Sequence, residues 1–332
     1  GSTGTPKGVM VEHRNVVNLF AGADDVIGEP GRAWLAVLSV AFDASVLDIW
    51  WPLTRGMHLV VWRGLKMAGE PAIPELIRSY GVTHLCTVPS FARLVLNAPG
   101  GADALATLKV QIFGGEPLTP SLLRALGRTP TKRIINMYGP TEATVTATAA
   151  VVDSEAEISI GRPLANVKVY VVDDELKPVP IGAPGELLIG GAGVARGYLN
   201  RPELTAEKFV LNPFAADGTR CYRTGDLVRY LNDGRLEFLG RIDHQVKLRG
   251  YRVELGEIES AMVQHPGVRE AVVVAIGDSD AVTDLVAYWT AHREAPSPND
   301  LRRYLTEVLP AYMVPGRFVR LDAMPMTPNG KV

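Results

Sequence analysis

The densest chemistry in the chain sits in its first eight residues. Gly1-Ser2-Thr3-Gly4-Thr5-Pro6-Lys7-Gly8 packs three glycines, three hydroxyls and one lysine together. Small residues let backbone N–H groups approach phosphate oxygens, the hydroxyls can donate further bonds, and Lys7 adds a point charge. The pattern departs from G-x-x-x-x-G-K-[ST], because Lys7 is followed by Gly8 and only two residues separate Gly1 from Gly4. It reads as a polyphosphate loop or as a flexible turn. Further along, Ile135 to Thr146 (INMYGPTEATVT) places Thr141 and Glu142 just past an apolar run and a Gly-Pro break. A carboxylate at the carboxyl end of a strand can hold Mg²⁺ on a nucleotide phosphate, although a solvated turn has the same look. Asp226, in Tyr222 to Leu227 (YRTGDL), follows a glycine and could accept two ribose hydroxyls or simply form a turn. Asp43 stands between an apolar run and an apolar amphipathic stretch, where helix N-capping competes with any binding role.

These residues need elements to hold them. From Val9 to about Asn136, short β-branched runs alternate with stretches of helical period, the mark of a largely parallel sheet. Strands are predicted at Ala33–Val37, His58–Trp62, His84–Val88, Val110–Phe113 and Arg133–Met137, with helices at Ala44–Leu53, Ile73–Tyr80, Phe91–Leu96 and Ser121–Leu126. After Tyr138 strands dominate, at Val167–Val172, Glu186–Ile189, Asp226–Tyr230 and Leu236–Leu239, separated by Gly, Pro and Asn-Asp-Gly turns. From Arg241 onward a basic strand-like run, a helix at Leu255–His265, strands at Ala271–Ile276 and Leu285–Thr290 and a helix near Leu301–Val308 predict a small α+β domain. The glycine-rich stretch Gly190 to Gly197 is no dinucleotide fingerprint, since its third glycine comes one residue late.

Composition narrows the function classes. The chain has 332 residues, more than one ordinary core holds. With 34 basic against 36 acidic residues no overall field draws it to nucleic acid or an anionic membrane, and no basic patch appears. Its apolar runs, such as Ala33 to Phe42, fall well short of the ~20 residues of a membrane helix. Cys86 and Cys221 lie far apart and outside any C-x-x-C pair, which argues against a disulfide framework and a cysteine zinc site and favours a cytoplasmic setting. The six histidines show no metal-ligand spacing. The opening Gly1 in place of methionine predicts further sequence upstream.

The order and wording of the motifs are more specific than any one of them. GSTGTPKG, FDAS, YGPTEAT, GELLIGGAGVARGYLNRPELTAEKF, YRTGDL, GRIDHQVKLRGYRVELGEIE, LPAYMVP and NGK together resemble the core motifs of nonribosomal peptide synthetase adenylation domains, in the adenylate-forming enzyme superfamily. The resemblance runs from Gly1 to Lys331 and covers about the last two thirds of a family domain.

It implies an α/β fold: a large subdomain over residues 1–242, with a mostly parallel sheet, helices and a β-rich distorted barrel, then a small α+β subdomain over residues 243–332. The implied reaction joins an amino acid to ATP, with Mg²⁺, giving aminoacyl-adenylate and pyrophosphate, then passes the aminoacyl group to the phosphopantetheine thiol of a carrier domain. Peptidyl carrier and condensation domains are the implied partners. Ser2, Thr3, Gly4, Thr5 and Lys7 would handle the β- and γ-phosphates. Thr141 would touch phosphate, Glu142 would hold Mg²⁺, Asn136 and Tyr138 would line the adenine site, and Asp226 would take the ribose hydroxyls with Arg241 nearby. Lys331 would reach both the substrate carboxylate and the α-phosphate. Asp43 would pair with the substrate α-ammonium, which sets the chain apart from a stand-alone acid:CoA ligase. The remaining pocket positions, Ala44, Leu47, Thr87, Ile112, Gly114, Met137, Val145 and Thr146, carry no charge and imply a neutral, largely apolar side chain of aromatic or leucine size. Asp243 would be the hinge that swings Lys331 out between the two half-reactions. A rival of another class is a noncatalytic fragment that serves only as an interaction surface.

Overall fold

The computed structural model describes residues 7–64, 71–127, 132–154, 158–242, 245–248, 251–278, 281–292 and 295–325. The chain divides into two compact units, one of Gly8–Ile242 and one of Asp243–Val332 together with Gly1–Lys7.

The larger unit opens with α1 (His13–Ile27), β1 (Ala33–Ala36), a π-helical turn (Val46–Trp50) running into α2 (Trp51–Thr54), and β2 (His58–Val61). Then come α3 (Ile73–Tyr80), β3 (His84–Thr87), α4 (Pro89–Leu96), α5 (Gly101–Ala106), β4 (Val110–Phe113), α6 (Pro120–Leu126) and β5 (Arg133–Tyr138). These strands lie parallel in the order β2-β1-β3-β4-β5, and β6 (Thr148–Val151) and β7 (Arg162–Pro163) extend the sheet antiparallel beyond β5. Helices cover both faces, so the parallel strands are apolar on both sides instead of alternating. Leu19, Ala23 and Ile27 of α1 pack one face with Trp51, while Ile77 of α3 and Leu122 of α6 pack the other. Each strand predicted here ends within one residue of the observed one. The predicted helix Ala44–Leu53 is instead a π turn followed by a single α turn, and α1 and α5 were not anticipated.

A second sheet follows, built from β8 (Val167–Val172), β9 (Gly185–Gly191), α7 (Pro202–Lys208), β10 (Phe209–Leu211), β11 (Arg220–Tyr230) and β12 (Leu236–Arg241). Its strands are antiparallel in the order β10-β11-β9-β8, with β12 also on β11. The Leu236 N–H donates to the Gly161 carbonyl at 2.8 Å and joins this sheet to the first.

The π turn is fixed by one buried carboxylate. Strand β1 stops at Ala36, which leaves the Val37 and Leu38 N–H groups without ladder partners. Asp48 Oδ2 accepts from both at 3.0 Å, and its Oδ1 accepts from Trp34 Nε1 at 2.6 Å. This tether sets where Asp43 and Leu47 fall relative to the sheet. The same Trp34 ring stacks on His84, with centroids 5.7 Å apart.

Burial moves the two ionisable neighbours in opposite senses. It pushes the Asp48 carboxyl up to about 7 and, with Lys109 adding to it, the His84 imidazole down to about 4. Stability from His84 is full above its ordinary pKa of 6.5 and is lost as pH falls toward 4, while stability from Asp48 is full below its ordinary 3.8 and is lost as pH rises toward 7. The two slopes oppose each other between about pH 4 and 6.5. His84→Phe should therefore expose the Asp48 slope alone, with urea midpoints of the larger unit rising on acidification through this window. Asp48→Asn should show the reverse trend, and parallel profiles for both variants would refute the opposition.

The smaller unit contains β13 (Gln245–Leu248) paired with β14 (Tyr251–Glu254), α8 (Leu255–Val263), β15 (Val268–Asp278), β16 (Ala281–Ala291), α9 (Pro298–Val308) and β17 (Arg317–Arg320). β15 and β16 are antiparallel and β17 lies parallel to β16. Ser297 starts α9 with a capping box, its hydroxyl accepting from the Asp300 N–H at 3.2 Å. Ile258, Met262, Leu285, Trp289, Leu301 and Leu305 form its core.

Candidate functional site

The carboxyl ends of β3, β4 and β5 lie side by side, with Thr87 opposite Phe113 and Phe113 opposite Asn136 in register. This brings together Thr87, Ile112, Gly114, Asn136, Met137 and Tyr138, which come from three separate stretches of sequence. Across β5 the chain turns sharply. A Cβ on Gly139 would lie 2.6 Å from the Val145 carbonyl and 2.7 Å from the Ala147 N, so only glycine permits the turn to close. The Ala147 N–H then donates to the Tyr138 carbonyl at 2.8 Å. Inside the turn Thr144 and Val145 adopt φ of 59° and 69°, an unusual conformation for β-branched residues. Backbone of this kind costs of order 1–3 kcal/mol per residue and persists only where its surroundings hold it. The Thr144 hydroxyl is held by the Gly193 carbonyl at 2.7 Å.

Thr141 and Glu142 occupy a 3-10 turn, Thr141–Ala143, at the mouth of this hairpin. The Thr141 hydroxyl donates to Asp43 Oδ2 at 2.5 Å. Burial is the largest influence on Asp43 and holds its carboxyl above the usual aspartate range; the Thr141 bond opposes this and the nearby Glu142 charge adds to it. The N-cap position of the π turn is Ser45, whose side chain makes no cap hydrogen bond. Glu142 is buried, and its Oε1 accepts from the Tyr198 hydroxyl at 2.6 Å.

A second polar cluster lies at β11 and β12. Asp226 faces Arg241 across the ladder, and its two oxygens accept from the Arg241 guanidinium and from the Tyr138 hydroxyl. Arg241 also donates to the Thr224 carbonyl at 3.0 Å. Burial first, and then the Asp226 charge, hold the Tyr138 phenol well above its usual range, so it stays a donor. Asn136 donates to the Ser159 carbonyl at 2.7 Å.

Of the pocket positions, Leu47, Ile112, Met137 and Val145 belong to or pack against the core on the α1 face, so packing alone accounts for part of their identity. Ala44 is half-buried on the turn before them. A Cβ on Gly114 would come 3.0 Å from the Met137 carbonyl, so β4 and β5 pack closely at this point. Two hydroxyls stand among these apolar groups. Thr146 lies 3.8 Å from the Met137 sulfur, and buried Thr87 Oγ1 meets no hydrogen-bond partner among the described residues. Lys7 Nζ lies 3.3 Å from Glu254 Oε1, a contact internal to the smaller unit. Ser2, Thr3, Gly4, Thr5, Asp243 and Lys331 lie outside the described residues.

Sequence reasoning missed Asp48 and Tyr198. Asp48 was legible only as one more position in an amphipathic stretch, because its partners are backbone amides that only the end of β1 exposes. Tyr198 sits inside a quoted motif, GYLNRPELT, but its hydroxyl finds Glu142 through the fold and not through spacing.

A metal fits this set in one way. Among the described residues no three His, Cys, Asp or Glu side chains gather into a cage. A single buried carboxylate beside a hydroxyl suits Mg²⁺, which takes one or two carboxylates and completes its shell with water and substrate phosphates. No helix among the described residues is long and apolar enough to cross a membrane.

Comparison with known proteins agrees with this geometry. The family model for AMP-binding enzymes matches residues 1–199, and that for the AMP-binding enzyme C-terminal domain matches residues 257–331. A linear gramicidin synthase of Brevibacillus parabrevis is 51% identical over 100% of this chain and 4% of its own length. Bacitracin synthase 3 of Bacillus licheniformis is 45% identical over 100% of this chain and 5% of its own. The chain thus spans a small part of the curated relatives it matches. Among solved structures, the Vibrio cholerae adenylation domain AlmE in complex with glycyl-adenosine-5'-phosphate superposes with a TM-score of 0.86 at 27% identity, covering 100% of this chain and 63% of that one. An artificially fused adenylation-PCP di-domain from Klebsiella oxytoca gives 0.81 at 29% identity, covering 95% and 58%. The fold superposes on these solved adenylation domains and both family models match; the chain belongs to the AMP-binding enzymes, adenylate-forming ligases, as an adenylation domain of the nonribosomal peptide synthetase type.

Proposed function

We propose that the chain activates an amino acid with MgATP, forming aminoacyl-adenylate and pyrophosphate, and hands the aminoacyl group to the phosphopantetheine thiol of a carrier domain. The observation that carries this reading is the approach of Asp43, Thr141 and Glu142. A carboxylate that can pair with an α-ammonium stands one hydrogen bond from the turn that bears the second carboxylate. In the proposed arrangement Glu142 holds the magnesium ion, which when bound with ATP neutralises charge on the phosphates. Asp226 orients the ribose hydroxyls, and Asn136 and Tyr138 lie near the base. No residue need act as a general base, because an amino-acid carboxylate is already ionised at neutral pH. Catalysis is then positioning plus fixed positive charge on the phosphoryl oxygens, with Lys331 as the proposed cation. In this reading Leu47, Ile112, Gly114 and Met137 would line a side-chain pocket for a neutral, largely apolar group, and the Thr87 hydroxyl, which meets no partner among the described residues, would offer it one polar atom.

The test is ATP–pyrophosphate exchange across the twenty common amino acids in the protein that carries this chain. A neutral amino acid should drive exchange best. Equal exchange with acids that lack an α-ammonium would overturn the reading in favour of an acid:CoA ligase. Lys331→Ala should lower adenylate formation by about 10²-fold or more while transfer from supplied aminoacyl-adenylate is largely spared. Equal loss in both half-reactions would remove Lys331 from the role proposed for it.

A further inference from the structure

One short segment joins the turn that bears Glu142 to Gly8–Met10, the residues that follow the proposed phosphate loop in sequence. Residues 196–199 zip along Gly8–Met10, the stretch that leaves the phosphate loop: the Met10 N–H donates to the Gly197 carbonyl at 2.9 Å, the Arg196 N–H to the Met10 carbonyl at 2.9 Å, and the Leu199 N–H to the Gly8 carbonyl at 2.8 Å. Its other side grips the Thr141–Ala143 turn, where the Ala195 N–H donates to the Glu142 carbonyl at 2.9 Å. Tyr198 does both at once. Its backbone bridges Val9, and its hydroxyl donates to Glu142 Oε1 at 2.6 Å.

The segment is held firmly. Gly197 has φ of 141°, and a Cβ there would lie 2.5 Å from Thr205 Cγ2, so only glycine fits. Asn15 of α1 donates to the Ala192 carbonyl at 2.7 Å. The Tyr198 ring packs edge-on to Phe209 with centroids 5.4 Å apart, and its hydroxyl lies 3.5 Å from that of Tyr222.

We infer that Tyr198 is a positioning residue for magnesium: it fixes the Glu142 carboxylate at a set distance from the exit of the phosphate loop. The inference rests on the reading of Glu142 as the carboxylate that holds the ion. A carboxylate on a short 3-10 turn can rotate about its side-chain bonds, and a charge-assisted hydrogen bond to a rigid phenol limits that freedom.

Tyr198→Phe deletes only the hydroxyl and keeps the ring. The readout is ATP affinity by calorimetry, with and without Mg²⁺, in the full protein that carries this chain. Tyr198→Phe should cut the gain in ATP affinity on adding Mg²⁺ by about tenfold, leave Mg²⁺-free ATP affinity unchanged, and leave the far-UV spectrum intact. Glu142→Gln should remove most of the gain, and the double variant should lose no more than Glu142→Gln alone. If Glu142→Gln keeps the full gain, the reading of Glu142 is overturned and the inference with it. If Glu142→Gln loses the gain but Tyr198→Phe keeps it, the positioning role alone is overturned. Equal loss with and without Mg²⁺ in Tyr198→Phe would reduce Tyr198 to a packing residue and likewise overturn it.

Discussion

Asp226→Asn is expected to destabilise the larger unit by about 3–5 kcal/mol, lowering its thermal midpoint by roughly 10 °C, and to abolish measurable ATP binding. The reason lies in counting donors. Asp226 receives the Arg241 guanidinium on one oxygen and the Tyr138 hydroxyl on the other. An asparagine has one acceptor oxygen, so one of these two donors must face an amide NH₂. The Arg241 side chain is only 9% exposed, and an amide in place of the carboxylate takes a buried charge partner away from it. Replacing the whole group by apolar residues of similar size avoids that penalty, as buried ion pairs often allow. The triple variant Tyr138→Phe, Asp226→Leu, Arg241→Met should therefore recover most of the lost midpoint in calorimetry yet bind no ATP. Recovery of stability together with nucleotide binding would refute the ribose role proposed for Asp226. An Asp226→Asn midpoint within about 2 °C of the parent would show that the cluster holds nothing together.

How much of this was legible beforehand follows from what each element rests on. The parallel strands could be read because both faces are covered, which leaves short, mainly apolar runs buried at every position, such as His84–Thr87 and Val110–Phe113. Helix α1 escaped because its buried face is partly polar: Asn15 and Asn18 point inward and donate to the Ala192 and Ala165 carbonyls, where periodicity expects apolar side chains. The π turn escaped because its form answers to amides at the end of a strand distant in sequence. At the site, residue types and order announced Asp43, Glu142 and Asp226 one by one. Their pairings, Asp43 with Thr141, Glu142 with Tyr198 and Asp226 with Tyr138, depend on chain segments 56 to 98 positions apart. No local spacing encodes such contacts.

Asp43→Ala should separate binding from stability in a way that a helix cap cannot. If Asp43 receives the α-ammonium, its removal should weaken amino-acid binding by about 10²-fold, in line with losing one partner of a buried charge pair, while ATP affinity does not fall. The stability change should have the opposite sign. Burial holds the Asp43 carboxyl above its ordinary pKa of 3.8, so the ionised group is disfavoured in the folded state. A raised folded pKa means that its contribution is full below the ordinary value and is lost as pH rises past the raised one. Asp43→Ala should thus melt higher than the parent at pH 8, with the difference shrinking toward pH 4. A capping carboxylate predicts the reverse, a midpoint that drops on substitution at neutral pH. The same shift sets the pH course of substrate binding: amino-acid affinity should decline on acidification at a pH above the ordinary aspartate range. Thr141 donates the bond that opposes the shift, so Thr141→Val should move that decline to still higher pH. The Thr141 hydroxyl has one proton, and while Asp43 holds it the oxygen can meet a phosphate only as an acceptor against an acceptor. An ammonium that displaced Thr141 from Asp43 Oδ2 would free that proton for phosphate. Amino acid should therefore tighten ATP binding in the parent, and Thr141→Val should bind the two ligands independently. Calorimetric titration of ATP with and without amino acid measures the coupling, and an undiminished coupling in Thr141→Val would remove this hydroxyl from the link between the two sites.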